Sequence, residues 1–203
     1  MTTGIGSTQR ASQAVFNLPN QLTAGRILLS LVSFVFIVWQ QYLWALVFFI
    51  LAATTDWIDG WYARKYGQVT TLGRILDPFA DKVIICGTFI LLCATPEMTA
   101  VAWGLRPWMV VVIVGRELLV TALRSFIERQ GMDFSARVSG KLKMVLQCIA
   151  AGVCLYFLAR ESFPFNFPWL GWVVAVLVWI AVLATIYSGL VYVLAAVRLL
   201  RGM

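Results

Sequence analysis

Six apolar runs, each near the roughly 20 residues that a bilayer core demands of a spanning helix, divide this chain of 203 residues. They cover about Leu22–Trp39, Tyr42–Ala63, Ile75–Ala94, Pro107–Ile127, Val138–Ala159 and Trp169–Val197. Backbone groups inside a bilayer find no water, so such runs must satisfy their own hydrogen bonds and form helices. The expected fold is an all-α membrane protein of six transmembrane helices. Composition agrees, because 61% hydrophobic residues and a mean hydropathy of +0.86 exclude an ordinary soluble domain. Ahead of the first span, Ala11–Asn20 carries Val15, Phe16 and Leu18 and reads as a short interfacial helix broken at Pro19, with a plain tail as the alternative. The expected organisation is an N-terminal cytoplasmic segment over residues 1–20 and one membrane domain over residues 21–203. The polar opening leads through a proline into a long span, which is not the pattern of a cleavable signal.

Orientation follows from the basic residues. With the N-terminus in the cytoplasm, fourteen of the sixteen lysines and arginines fall on the inner side or in the inner halves of spans, leaving Arg106 and Arg160 outside. Glu97 and Glu161 balance those two, so the whole formal charge of +7 lies on the inner side. Such a potential gathers anionic lipid and anionic soluble substrates. The four cysteines, Cys86, Cys93, Cys148 and Cys154, sit in apolar runs without CxxC spacing, and the chain has no histidine to complete a zinc set. They read as small core residues. Trp39, Trp44, Trp103, Trp108, Trp169 and Trp172 suit anchoring near the outer ends of spans.

The chemistry is expected where carboxylates interrupt this apolar background. Between positions 56 and 81 stands the array Asp56-x2-Asp59-Gly60-x2-Ala63-Arg64-x8-Gly73-x3-Asp77-x3-Asp81. At about 100° per residue, Asp56, Asp59, Gly60 and Ala63 form one stripe at the end of the second span. Asp77 and Asp81, four apart, share a face of the third. A connection of about ten residues should make these spans antiparallel, so that the four carboxylates converge. Without cations such a cluster would repel itself, and ligation by oxygen alone points to Mg²⁺ or Mn²⁺, with two ions expected, rather than zinc or copper. The small residues admit close backbone approach by a ligand. Simple helix packing would explain the glycines and leave the aspartates without a reason.

At every fixed position and spacing this array resembles the signature of the CDP-alcohol phosphotransferase family of membrane enzymes. The resemblance implies a six-helix, usually dimeric membrane fold with metals held at a cavity open to the cytoplasm, in which an acceptor hydroxyl attacks the β-phosphorus of a CDP-linked lipid and CMP departs. It implies further that Asp56, Asp59, Asp77 and Asp81 hold the metals and that Asp81 is the catalytic base. Gly60, Ala63, Arg64 and Gly73 would line the CDP site. Asn20, Thr23 and Arg26 would touch the nucleotide or cap the first helix, two readings the residues do not separate.

A second polar constellation lies in the later spans. Arg116 stands about ten residues into the fourth, a depth at which a charge should face a cavity or a partner. Glu117 beside it is expected on a different face, and Arg124 lies two turns further on. Together with Lys141, Lys143 and Gln147 they form a cationic group that suits a phosphate through charge-assisted hydrogen bonds. Snorkelling of the lysines, or an ion pair from Arg116 to Glu117 or to another helix, is the simpler alternative. The segments Arg116-Glu-x6-Arg124, Gly140-Lys-Leu-Lys-x3-Gln147 and Tyr187-Ser-Gly-x2-Tyr192, with the opening Asn17-Leu-Pro-Asn20-x2-Thr23-x2-Arg26, resemble the branch of the family whose acceptor is sn-glycerol 3-phosphate. Met144 departs from that branch, where a threonine is usual. The substrates implied are CDP-diacylglycerol and sn-glycerol 3-phosphate, with inositol phosphate as the alternative acceptor. The implied setting is a bacterial inner membrane or an equivalent organelle membrane, with a homodimer and no nucleic-acid partner. A metal or proton transporter is the rival class, but its site would lie near the midplane, whereas these carboxylates cluster toward one end of their spans.

Overall fold

The computed structural model describes residues 18–66, 71–129, 138–162 and 169–201, with side chains described throughout these except at 18–20, 56–66, 71–75, 77, 128–129, 138–141, 161–162 and 200–201. Every regular element among the described residues is helical. In chain order they are α1 (Leu18–Val38), α2 (Tyr42–Tyr66), α3 (Thr71–Ala94), the short α4 (Pro96–Thr99), α5 (Pro107–Arg129), α6 (Val138–Leu158), a 3₁₀ turn (Ala159–Ser162) and α7 (Leu170–Arg201). The six long helices match the six apolar runs, with ends shifted by a few residues. α1 begins at Leu18 and takes Pro19 into its first turn, so this proline opens a helix instead of breaking one. The first turn is where proline's missing N–H would be unsatisfied in any case. The rest of the expected interfacial segment lies outside the described residues.

Among the described residues, two stretches are long and apolar enough to cross a membrane by themselves, Gln21–Val38 in α1 and Leu170–Leu199 in α7. Shorter apolar stretches, Tyr42–Thr55 and Leu142–Leu158, lie in α2 and α6. In α5 the charged side chains of Arg116, Glu117 and Arg124 interrupt the apolar window.

Polarity runs from outside in. Leu28 on α1, Ile50 on α2, Ile90 on α3, Val111 and Leu118 on α5, Val145 on α6 and Leu183 and Leu190 on α7 are large, apolar and exposed. Arg26, Ser30, Ser33, Thr88, Gln147, Thr185 and Ser188 are buried almost completely. A surface of this kind is stable against acyl chains and prone to association in water, so the chain is a membrane protein.

The helices fall into two compact units, Met1–Gly87 and Thr88–Met203, divided within α3. In the first, α1 packs along α2. Their connection is a tight left-handed cap: Gln40 has φ 60°, its N–H donates to the Ile37 carbonyl at 3.0 Å, and the Gln41 N–H reaches back to Phe36 O at 2.9 Å. Phe36 stacks on Phe48 at 5.4 Å, and the Ser33 hydroxyl donates to Ala45 O at 2.9 Å, so the hairpin is closed by an aromatic pair and one buried hydrogen bond. Gly87 of α3 faces the Phe34 ring so closely that a β-carbon there would collide with it.

In the second unit α7 is the central element, packed against both α5 and α6. Trp108 meets Trp179 near the start of α5, Arg116 meets Ser188, and Ile127 packs with Tyr192, Ala195 and Ala196, so α5 and α7 run parallel. Gly171 lies against Phe157 while Thr185 meets Gln147, so α6 runs antiparallel to α7. Trp103 and Trp108 are exposed, and the Trp179 indole N–H donates to Trp103 O at 3.0 Å, in keeping with an interfacial aromatic cluster at that end.

Candidate active site

The aspartate array occupies two helices, as its spacing requires. Asp56, Asp59, Gly60, Ala63 and Arg64 belong to the last turns of α2, and Gly73, Asp77 and Asp81 to the first turns of α3. Side chains are described for Asp81 alone, so convergence of the four carboxylates falls outside the described residues. Just before the array, the Thr54 and Thr55 hydroxyls donate to the carbonyls of Ile50 and Leu51, at 2.8 and 2.7 Å, which lets polar residues continue an apolar helix without unsatisfied donors. Pro78 stands inside α3 between Asp77 and Asp81 and withholds one helical N–H there. Lys82, next to Asp81, donates from Nζ to Pro78 O at 2.8 Å.

Asp81 is about one third exposed, and its Oδ1 accepts from Nη1 of Arg26 at 2.5 Å, while the Arg26 side chain is 1% exposed. A buried guanidinium from α1 therefore holds one oxygen of the expected base. This assigns Arg26, which the sequence left between nucleotide contact and helix cap, a carboxylate partner on α3. A signal for it was present: Thr23, Arg26, Ser30 and Ser33 recur at helical spacing and are all buried, forming a polar stripe on an apolar helix. The Ser30 hydroxyl donates to Arg26 O at 2.8 Å and absorbs its own polarity within the helix.

The second constellation is a buried network across three helices. Arg116 on α5 donates from Nη2 to Ser188 Oγ on α7 at 2.6 Å, and its guanidinium lies 5.5 Å from the centre of the Tyr192 ring. Glu117 Oε1 lies 3.5 Å from Arg116 Nη1 and pairs with Nζ of Lys143 on α6. Lys143 also reaches Gln147 Oε1 at 3.4 Å, and Gln147 Nε2 donates to Thr185 Oγ1 at 2.9 Å. The Thr185 hydroxyl in turn donates to Ala181 O at 2.6 Å, which closes the chain of donors on backbone.

One expectation is corrected here, and one alternative is excluded. Glu117 was placed on a face away from Arg116, yet the two side chains converge. Their Cα positions differ by about 100°, but both side chains are long enough to turn toward the same interior. Lys143 was set between phosphate ligand and snorkelling residue; it does not snorkel, being 6% exposed and ion-paired. Arg116 and Lys143 are thus brought together through Glu117. Arg124 is half-buried two turns along α5, about 12 Å by helical rise, and the Lys141 side chain lies outside the described residues.

The same network explains Tyr187-Ser-Gly-x2-Tyr192. Ser188 and Tyr192, four apart, hold the Arg116 head, and a β-carbon at Gly189 would lie 3.1 Å from Arg116 Cγ, so the glycine makes room for the stem. Tyr187 points away and is 64% exposed. The three side chains Arg116, Lys143 and Glu117 carry a formal charge of +1. The four aspartates of the array stand on two consecutive helices.

A model of the CDP-alcohol phosphatidyltransferase family matches residues 16–196. The CDP-diacylglycerol–glycerol-3-phosphate 3-phosphatidyltransferase of Bacillus subtilis is 36% identical over 196 residues, which cover 88% of this chain and 94% of that protein. The enzyme of the same name from Escherichia coli K12 is 33% identical over 187 residues, 89% of this chain and 95% of its own. An Arabidopsis thaliana relative, isoform 2 of that name, is 38% identical over 160 residues, covering 73% and 68%. With the aspartate array on two consecutive helices and the family model spanning nearly the whole chain, this protein belongs to the CDP-alcohol phosphatidyltransferase family.

Proposed function

We propose that the chain transfers the phosphatidyl group of CDP-diacylglycerol to sn-glycerol 3-phosphate, giving phosphatidylglycerophosphate and CMP. The observation that carries the acceptor assignment is the buried pair of cations, Arg116 and Lys143, in a network with one carboxylate. A neutral acceptor would give that excess charge nothing to bind, and the names of the relatives agree with a phosphorylated one.

In this reading the acceptor phosphate is bound by Arg116 and Lys143, with Arg124 and Lys141 at the edge of the site. Its free hydroxyl loses a proton to an Asp81 oxygen as the hydroxyl oxygen bonds to the β-phosphorus. The bond from that phosphorus to the CMP oxygen breaks, and CMP leaves with the electron pair. Arg26 fixes the orientation of the Asp81 carboxylate through its hydrogen bond to Oδ1. Arg64 steadies a phosphate of the nucleotide lipid, and Gly60, Ala63 and Gly73, with Asn20 and Thr23, leave room for the cytidine.

The donor set fits a hard divalent cation, since Asp56, Asp59, Asp77 and Asp81 offer oxygen only and repeat at one-turn spacing on two helices. When bound there, Mg²⁺ or Mn²⁺, as two ions, supplies charge neutralisation to the pyrophosphate oxygens. The long helices cross the bilayer six times, with the site opening to the cytoplasm of a bacterial inner membrane, and the protein works as a homodimer.

The test is a detergent assay with CDP-diacylglycerol and radiolabelled acceptors. Labelled phosphatidylglycerophosphate should form from glycerol 3-phosphate, stop on chelation and return with Mg²⁺ or Mn²⁺. Faster labelling from inositol phosphate would overturn the acceptor, and full activity in chelator would overturn the metal.

A further inference from the structure

A cavity at the end of the second unit where three tryptophans meet takes no part in the proposed transfer. It has a volume of about 550 Å³ and is lined by Trp103, Gly104, Arg106, Trp108, Met109 and Trp179, a size common among small-ligand sites. Trp108 stands eight residues before Arg116 on α5, so the cavity lies about 12 Å by helical rise from the acceptor network. We propose that it binds the headgroup of one phospholipid of net negative charge, with the lipid phosphate on Arg106 and the acyl chains against α5 and α7.

Arg106 is a cation that the fold itself does not use. It is exposed, its Nη1 donates to Thr99 O at 3.0 Å, and among the described residues no carboxylate pairs with it. It stands directly before α5, where a cation opposes the helix dipole, so stabilisation of that helix does not account for it. The Thr99 carbonyl orients the guanidinium without neutralising it and leaves most of its donors open. The cavity wall is held in an unusual backbone. Trp103 has φ 59°, a left-handed conformation that a bulky residue rarely adopts, and the Trp179 indole N–H fixes it by donating to its carbonyl at 3.0 Å. The Trp103 side chain is thereby presented 69% exposed on the same cavity as Arg106. The indole N–H groups of Trp103 and Trp108 donate to no acceptor among the described residues.

A phospholipid matches these features together. A guanidinium and indole N–H groups are donors suited to phosphate oxygens, and tryptophan belongs to the bilayer interface, where headgroups lie. One turn on from Trp108 and from Trp179 stand Val111 and Leu183, both large, apolar and exposed, so surface for acyl chains begins at the cavity edge. Net charge selects among lipids: an anionic head neutralises Arg106, whereas a zwitterionic head adds no net charge and leaves the cation unbalanced.

The test uses purified, delipidated full-length protein in detergent, with lipid binding read by native mass spectrometry and by the thermal unfolding midpoint. Arg106→Gln, with its lipid-free midpoint unchanged, should bind dioleoyl phosphatidylglycerol about fivefold more weakly than wild type and dioleoyl phosphatidylcholine equally well. Arg106→Lys should keep part of the anionic preference. Unaltered phosphatidylglycerol binding in Arg106→Gln, or an equal loss of both lipids, would overturn the proposal. If inorganic phosphate raises the wild-type midpoint as much as the lipid does, and Arg106→Gln abolishes that rise, the site takes a free anion and the lipid assignment falls. Should Arg106→Gln fail to fold, Trp103→Leu carries the test, and anionic lipid bound as tightly as by wild type sinks the idea. A lipid held at the aspartate array would be indifferent to these substitutions, so failure here leaves the proposed transfer reaction standing.

Discussion

Two buried arginines, one in each unit, meet carboxylates in opposite ways. Arg26 pairs with Asp81, a member of the array of four aspartates. Arg116 is one of two cations sharing Glu117, so there the excess is positive. Asp81 remains about one third exposed, whereas Arg116, Glu117 and Lys143 are all within a tenth of full burial. On the proposed function, the aspartates serve the pyrophosphate of the lipid donor and the cationic pair serves the phosphate of the acceptor. Buried charge left uncompensated is expensive, and on that reading the ligands supply the compensation.

The comparison can be broken at either arginine or at the groups they hold. The largest effect is expected at the acidic site: Asp81→Asn should lower kcat roughly 10²–10⁴-fold while sparing retention of CDP-diacylglycerol, measured by turnover and lipid binding. Unchanged turnover would remove Asp81 from the role of base. At the cationic site, Arg116→Ala should raise KM for glycerol 3-phosphate about ten- to a hundredfold, with a much smaller change for the lipid substrate. Equal weakening of both substrates would mean that the two sites do not divide the substrates as argued. Arg26→Gln should reduce kcat by about 10–100-fold, and Arg26→Lys should restore part of that loss, because a cation still reaches Asp81. The smallest effect belongs to Gly189→Ala, where a β-carbon 3.1 Å from Arg116 Cγ moves the guanidinium by a few tenths of an ångström; a rise of about three- to fivefold in acceptor KM is expected. A Gly189→Ala enzyme with unaltered KM would show that the seat of Arg116 has slack.

The sequence made the helices legible because apolar run length is a strong signal, and the ends of six runs agree with six helices to within a few residues. Placement of the aspartates on the adjoining ends of α2 and α3 was equally legible from their spacing. Three features were less so. Pairing of Arg26 with Asp81 joins residues 55 apart, and no local periodicity names a partner at that distance, although the polar stripe on α1 marked the arginine as buried. Approach of Glu117 to Arg116 was legible only as the simpler alternative, because angular spacing describes Cα positions and long flexible side chains can undo it. Ser188, Gly189 and Tyr192 were visible as a motif without a purpose until Arg116 was found among them.

The reach of Arg26 across 55 residues also bears on how the chain is made. On the six-span reading, α1 emerges from the ribosome well before α3, and at about 10 residues per second the interval is roughly five seconds. Through that interval the guanidinium has no Asp81, and a naked cation deep among acyl chains is costly. The first hairpin, closed by its own three-residue cap, would therefore wait with the arginine turned toward the headgroups. It would settle to full depth only when the third helix arrives, which couples the biogenesis of this bundle to the residue proposed to take the proton.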